Sequence, residues 1–247
     1  MKTGVLIYSF DTPVTSYRNL TTRCVEHVNH HLKLPVTVVS DKQFPGVNTV
    51  VVEPKKGNMR SYQKETVPWY NLERTSAYEH SPYDTTILMD CDYFVMSDYL
   101  FQLSNTVNNI LVHTKVNDIT KRNNINHSRE ALIPLVWATV VIFKKNDFTQ
   151  QVFHLVKHVQ KNYQYYRKLY RILHMSYRND YAFAIALHQM YGGRTTQYSM
   201  PTAMNMIGAD SNILSLDMDS MYFSWNKQCS RIYDQDVHVF NKDIIDV

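Results

Sequence analysis

Asp90 and Asp92 close an apolar run, Thr85-Thr86-Ile87-Leu88-Met89-Asp90-Cys91-Asp92-Tyr93-Phe94-Val95. The run is short and rich in apolar and β-branched residues, the pattern of a buried strand. Carboxylates at the end of such a strand are costly to bury unless something offsets their charge. A hard divalent cation does so, because carboxylate oxygens suit Mg²⁺ or Mn²⁺. Open α/β sheets also collect their ligands outside the carboxyl ends of their strands. The plain alternative is a solvated turn, the usual fate of an isolated Asp-x-Asp. The strand in front of this pair favours a metal clamp.

The elements that must position the pair are legible as periodicities. Gly4 to Phe10 reads as a first buried strand. Ser16 to Leu32 carries a helical pattern, with Tyr17, Leu20, Cys24, Val28 and Leu32 three or four apart. Pro35 to Asp41 reads as a second strand ending in an acid, and Val47 to Val52 as a third. Strand, helix, strand at this spacing predicts a right-handed βαβ unit and a parallel sheet. Pro68 to His80 is expected to be a helix with Pro near its first turn, leading into the strand that ends at Asp90. The polar stretch from Lys115 to Glu130 reads as a surface loop, and Leu135 to Phe143 as another buried strand. Gln151 to Arg178 carries a long, interruptible helical pattern. A further helix, Asp180 to Tyr191, stops at Gly192-Gly193. The expected class is α/β, a mainly parallel sheet flanked by helices. No repeat, low-complexity segment or linker divides the chain, so one domain is expected over 1–247, with a nucleotide-binding half of about 1–100 and an acceptor-side half of about 101–247.

Composition narrows the chemistry. The 247 residues are 44% hydrophobic and 19% charged, ordinary for a globular protein. With only 6 glycines, and neither a G-x-G-x-x-G nor a G-x-x-x-x-G-K-[ST] motif, a Gly-rich phosphate loop is not expected. A net charge of +4, with 11 His beside it, suits an anionic partner without demanding one. Eighteen Tyr supply amphipathic surface as well as core. Cys24, Cys91 and Cys229 are scattered, forming neither a disulfide framework nor a zinc spacing, and Cys91 is expected to point into the core. The apolar stretch near the N-terminus is too short for a signal peptide or a membrane span. The sequons at Asn19 and Asn126 are then idle. The expectation is a soluble, cytoplasmic protein in a reducing compartment.

Taken in order, several segments resemble the metal-dependent nucleotide-sugar glycosyltransferases of the GT-A fold, the family typified by glycogenin and bacterial galactosyltransferases. Ile87 to Val95 is similar to the family's strand-plus-DxD segment. Asp236-Val237-His238-Val239-Phe240-Asn241-Lys242 is similar to its late His and following Lys. Arg74 matches a basic residue before the DxD strand, Met200-Pro201-Thr202-Ala203-Met204-Asn205 an L-P-x-x-x-N segment, and Asn179-Asp180 the second acidic motif. Two segments depart from the pattern. Trp137-Ala138-Thr139 stands where the family carries an Asn-Ala-Gly-like turn, and Asp243 rather than Pro-Trp follows Lys242.

The resemblance implies transfer of a hexose or pentose from a nucleotide-diphosphate sugar, a UDP-sugar, to an acceptor hydroxyl. It implies Asp92 as a direct metal ligand, Asp90 on the metal or the donor ribose, and His238 as third ligand. An imidazole in the set suits Mn²⁺ better than Mg²⁺. Lys242 and Arg74 are implied to neutralise the diphosphate. Asp180 then contacts the sugar, or takes the acceptor proton if the reaction inverts; its plain role is a helix N-cap. From position alone, Asp41 at the end of the second strand is a candidate for the base or ribose, and Tyr8 and Ser9 for flanking the base.

For the acceptor, the clue is a basic face, Lys157, Lys161, Lys168, Arg171 and Arg178, beside an aromatic stripe. Lys and Arg neutralise phosphates and Tyr stacks on bases. One reading is DNA carrying a hydroxymethylated base, which must leave the stack to be reached; the other is a solvated helix face. Two different classes stay open: a nucleotidyltransferase, which also uses paired acids with a metal, and a non-catalytic nucleotide-sugar-binding module.

Overall fold

The apolar runs assemble into a six-stranded sheet with the spatial order Asn48–Val51, Val36–Ser40, Thr3–Ser9, Thr85–Met89, Trp137–Lys144, Ile110–His113. The computed structural model describes residues 2–62, 65–121, 123–125 and 131–242, so the Asn126 sequon lies outside the described residues. The first four strands run parallel, with Val5 beside Val36 and Ile87, and Ile7 beside Val38 and Met89. Trp137–Lys144 runs antiparallel to both neighbours, making the sheet mixed. The strand Thr85–Met89 is buried throughout. Strands covered on both faces read as continuous apolar runs, which is why this one was visible in the sequence.

Alternation along the strands feeds two cores. Val5, Ile7, Val38, Ile87 and Met89 face one side and pack with Leu20, Cys24 and Val28 of the helix Tyr17–His31. Leu6, Val39 and Leu88 face the other, under the helices Asp147–Lys161 and Asn179–Tyr191. The Asn146 side chain caps the former, accepting the Thr149 N–H at 2.8 Å. The latter ends on Gly192, whose φ of 60° is the left-handed cap expected there. Its residues Ala182 to Leu187 are all fully buried, as in a helix enclosed on every side.

Three expectations need correction. Pro68 does not open a helix: it ends a strand, Glu65–Pro68, paired with Met59–Tyr62. Only a 3₁₀ turn, Leu72–Ser76, and a short helix, Ala77–His80, follow. An edge hairpin tolerates the missing N–H of proline. The polar 115–130 stretch is not simply a loop. Val116–Asp118 and Asn123–Ile125 pair with each other and extend a second sheet. The 151–178 pattern breaks at Asn162 into Asp147–Lys161 and Tyr163–Leu169. The chain then turns at Arg171, with φ 53°. There the N–H groups of Arg171 and Ile172 bond back to Lys168 O and Arg167 O at 3.3 and 2.7 Å, a Schellman closure without glycine.

The second sheet has the order Asn123–Ile125, Val116–Asp118, Met204–Ile207, Val237–Val239, Tyr93–Phe94. A three-stranded antiparallel sheet, Asn212–Leu216, Ser220–Trp225 and Gln228–Tyr233, precedes its C-terminal strand.

Candidate active site

The two acids sit where the first sheet hands over to the second. Met89 ends the parallel strand, and the Asp90 N–H bonds Thr139 O at 2.9 Å. The chain turns, with Tyr93 N–H returning to Asp90 O at 3.2 Å. Tyr93–Phe94 then pairs antiparallel with Val237–Val239, His238 opposite Tyr93. The Val239 N–H donates to Asp92 O at 2.9 Å. This pairing carries His238 across the chain, so that its Nε2 lies 3.2 Å from Asp92 Oδ1.

Asp90, Asp92 and His238 each bring a ligand atom within 4.8 Å of the others. Asp92 Oδ1 and His238 Nδ1 are buried without a hydrogen-bond partner. Burial pushes the His238 imidazole down to about 4, against the pull of Asp90 and Asp180. It is therefore neutral at ordinary pH, the form that ligates metals. Two carboxylates, one neutral imidazole and orphaned acceptor capacity fit a divalent cation of the Mn²⁺ or Mg²⁺ kind.

Two buried cations flank the acids. Lys242 Nζ contacts Asp92 Oδ2 and donates to Val239 O at 3.0 Å. Burial lowers its ammonium to about 8, against the attraction of Asp90. Arg74 contacts Asp90 and donates to Ala138 O and Thr139 O at 2.6 and 3.0 Å. It thus braces the DxD strand end against Trp137–Lys144. From the helix Asn179–Tyr191, Asp180 Oδ1 accepts the Ala138 N–H at 2.8 Å, and Oδ2 accepts from Arg178 at 3.0 Å.

A cavity of about 500 Å³ joins these groups. It brings together Tyr8, Arg74, Asp90, Asp92, Asp180, His238 and Lys242 from the sequence-based candidates. Ser9 and Asp41 do not line it. Period-two alternation turns Ser9 away from the side of Tyr8, and Asp41 stands exposed beyond its strand. The Tyr8 hydroxyl bonds His80 Nδ1 at 3.0 Å, and burial holds its pKa well above the usual tyrosine value. Arg178 also lines the cavity, so it does not belong to the outer basic face to which the helical pattern assigned it. Arg60 and Trp69 complete this wall, with Arg60 and Arg178 over the Trp69 ring at 5.5 and 5.9 Å. Both lie on or beside the hairpin that the sequence pattern did not reveal.

No family model and no curated protein sequence matches the chain. Among solved structures it is similar to an active-site mutant of LgtC, with a TM-score of 0.52 and 12% identity over 74% of this chain and 69% of that one. It is also similar to the galactosyltransferase LgtC in complex with donor and acceptor sugar analogues, with a TM-score of 0.48 and 12% identity over 74% and 70% of the two chains. For the glycosyltransferase GlyE of Streptococcus pneumoniae the TM-score is 0.48 and the identity 11%, over 81% of this chain but 45% of GlyE. The chain therefore spans under half the length of GlyE. The likeness to LgtC is one of fold, and that fold is GT-A.

Proposed function

We propose that the chain is a metal-dependent glycosyltransferase that moves a sugar from a nucleotide-diphosphate sugar, a UDP-sugar, to an acceptor hydroxyl. The observation that carries this reading is the Asp90, Asp92 and His238 cluster at a strand end, open to a cavity between two buried cations. The fold that the chain shares with LgtC supports the reading.

In this reading Asp90, Asp92 and His238 hold Mn²⁺ or Mg²⁺. Once bound, the ion supplies Lewis-acid stabilisation of the diphosphate leaving group. Lys242 and Arg74 add fixed positive charge beside the same phosphates, where charge grows as the glycosidic bond breaks. Arg74 also keeps Asp90 in place through its carbonyl contacts. Tyr8, which lines the cavity, would flank the base. Asp180 has both oxygens engaged by Ala138 N–H and Arg178, which suits orienting the sugar rather than taking a proton.

The acceptor reading is a polyanion, DNA bearing a hydroxymethylated base. Residues 148–178 hold six Lys or Arg and no acid. Lys157 pairs with Glu79 and Arg178 with Asp180, which leaves Lys161, Arg167, Lys168 and Arg171 for such a face. The C-terminal end of the segment, His174, Ser176 and Arg178, lines the cavity. Binding to duplex DNA that weakens steeply with salt supports it; no binding at low salt removes it.

The donor is tested by incubating the protein with Mn²⁺ and a panel of nucleotide-sugars. Release of nucleoside diphosphate is expected, and Asp92→Asn should abolish it. Pyrophosphate released from a nucleoside triphosphate would instead mark a nucleotidyltransferase, and binding without turnover a non-catalytic module.

A further inference from the structure

A second group of metal-ligating side chains lies away from the cavity. His30 and His31 occupy the last turn of the helix Tyr17–His31. Asp219 lies in the turn between the strands Asn212–Leu216 and Ser220–Trp225. The Nε2 atoms of His30 and His31 stand 3.9 and 3.6 Å from the same oxygen, Asp219 Oδ1. One ligand atom from each of the three lies within 4.8 Å of the others. None of the three lines the cavity.

From this geometry we propose a zinc-type metal site formed by His30, His31 and Asp219, which ties the first helix to the C-terminal three-stranded sheet. Zn–N and Zn–O bonds of about 2.0–2.1 Å in a tetrahedron set ligand atoms about 3.3–3.4 Å apart. The His31–Asp219 separation of 3.6 Å is close to that edge, and the His30–Asp219 separation of 3.9 Å would close by about half an ångström around an ion. The imidazoles are held as a pair, their rings edge to face at 4.7 Å. His31 is fixed by packing: its side chain is only 10% exposed and its ring stacks on His27 at 6.3 Å. His31 Nε2 also donates to Met218 O at 2.9 Å, a proton and a hydrogen bond that the ring gives up when that nitrogen takes an ion. His30 and Asp219 are exposed, which leaves the ion a way in.

Charge and ligand type point the same way. The C-terminal end of a helix carries partial negative charge and favours a cation. Two imidazoles and one carboxylate suit Zn²⁺, whereas two carboxylates and one imidazole in the cavity suit a harder ion. The gain is structural. Asp219 O accepts the Asp234 N–H at 3.0 Å, so the ion would grip the turn on which the three-stranded sheet closes. That sheet runs directly into Val237–Val239, the strand that bears His238. The proposal is independent of the glycosyltransferase reading.

The test uses the full, untagged chain stripped with chelator, in an Asp92→Asn background that cripples the cavity cluster. Titration with ZnCl₂ should show one saturable equivalent and a raised Tm, with MnCl₂ much weaker. Adding Asp219→Asn, an exposed turn position, should weaken zinc binding at least about tenfold and remove the Tm shift; His31→Gln should do the same. Cobalt should show the visible absorption of a tetrahedral site, lost with Asp219→Asn. No saturable zinc uptake, or uptake unchanged by both substitutions, would overturn the site. Stability that responds to pH without zinc uptake would reduce the three to a surface ion pair, and would also overturn it.

Discussion

At the scale of the residue, the pair formed by Asp92 and Lys242 decides most. Both are buried and in contact, so removing one partner leaves the other charge stranded. Lys242→Met should destabilise the metal-free protein by about 3 kcal/mol, read by urea denaturation. Mn²⁺ should then raise the stability of Lys242→Met more than that of the unmodified chain, because the ion restores positive charge beside Asp92. The double variant with Asp92→Asn should lose less than the sum of the single losses, the sign of a coupled pair. Equal Mn²⁺ responses with and without Lys242 would separate this lysine from the metal cluster. Asp90 and Asp92 stood out in the sequence itself, while His238, Lys242 and Arg74 came forward only through the family resemblance. Neither could tell that the two Arg74 Nη groups bond Asp90 and two carbonyls, since those carbonyls belong to a strand far along the chain.

At the scale of the element, the parallel strands tolerate little change. A Cβ built on Gly4 would lie 2.4 Å from the Tyr83 ring. That ring is buried and tied through its hydroxyl to Thr37 at 2.7 Å. Gly4→Ala should therefore lower stability by about 1–3 kcal/mol, with the loss showing in Tm; an unchanged Tm would mean that Tyr83 moves freely. Elements with strong periodicity, such as Tyr17–His31 and Thr85–Met89, were legible because each buries a defined stripe or run. The helix end at Arg171 was not, because its left-handed position carries arginine where the usual signal is glycine. The hairpin Met59–Tyr62 with Glu65–Pro68 was missed for a related reason: short edge strands carry little apolar pattern, and Pro68 argued for a helix start.

At the scale of the whole molecule, stability should fall on mild acidification through buried histidine. Burial pushes His27 from 6.5 down to about 4, opposed by its hydrogen bond to Val95 and helped by His31, His30 and Arg23. Its Nδ1 lies 3.0 Å from Val95 O, as a neutral ring donating its proton would. Between pH 6.5 and about 4 the unfolded chain binds the proton that the native ring refuses. The stability contributed by the neutral ring is present above that window and is lost as pH falls through it, by about 3 kcal/mol. His27→Gln keeps a donor for Val95 and should flatten part of this slope in urea melts compared at pH ~7 and ~4.5. An identical slope would assign the acid loss to other groups, His113 among them, which burial also holds near 4.

The family resemblance brought forward His238, Lys242 and Arg74; the sequence by itself determined the α/β class, the strand that ends in Asp90, and the patterns of the helices Tyr17–His31 and Asn179–Tyr191. These are local properties, written in periodicity and in the abrupt change from apolar to acidic residues. Only the tertiary structure decided which distant groups meet. Tyr93–Phe94 pairs with Val237–Val239, and that one ladder sets His238 beside Asp92 and brings Lys242 after it. The same folding turns Arg178 inward to Asp180, leaves Ser9 and Asp41 outside the cavity, and joins His30 and His31 to Asp219. Strand pairing across such separations depends on which buried surfaces fit together, and no local pattern in the chain encodes it.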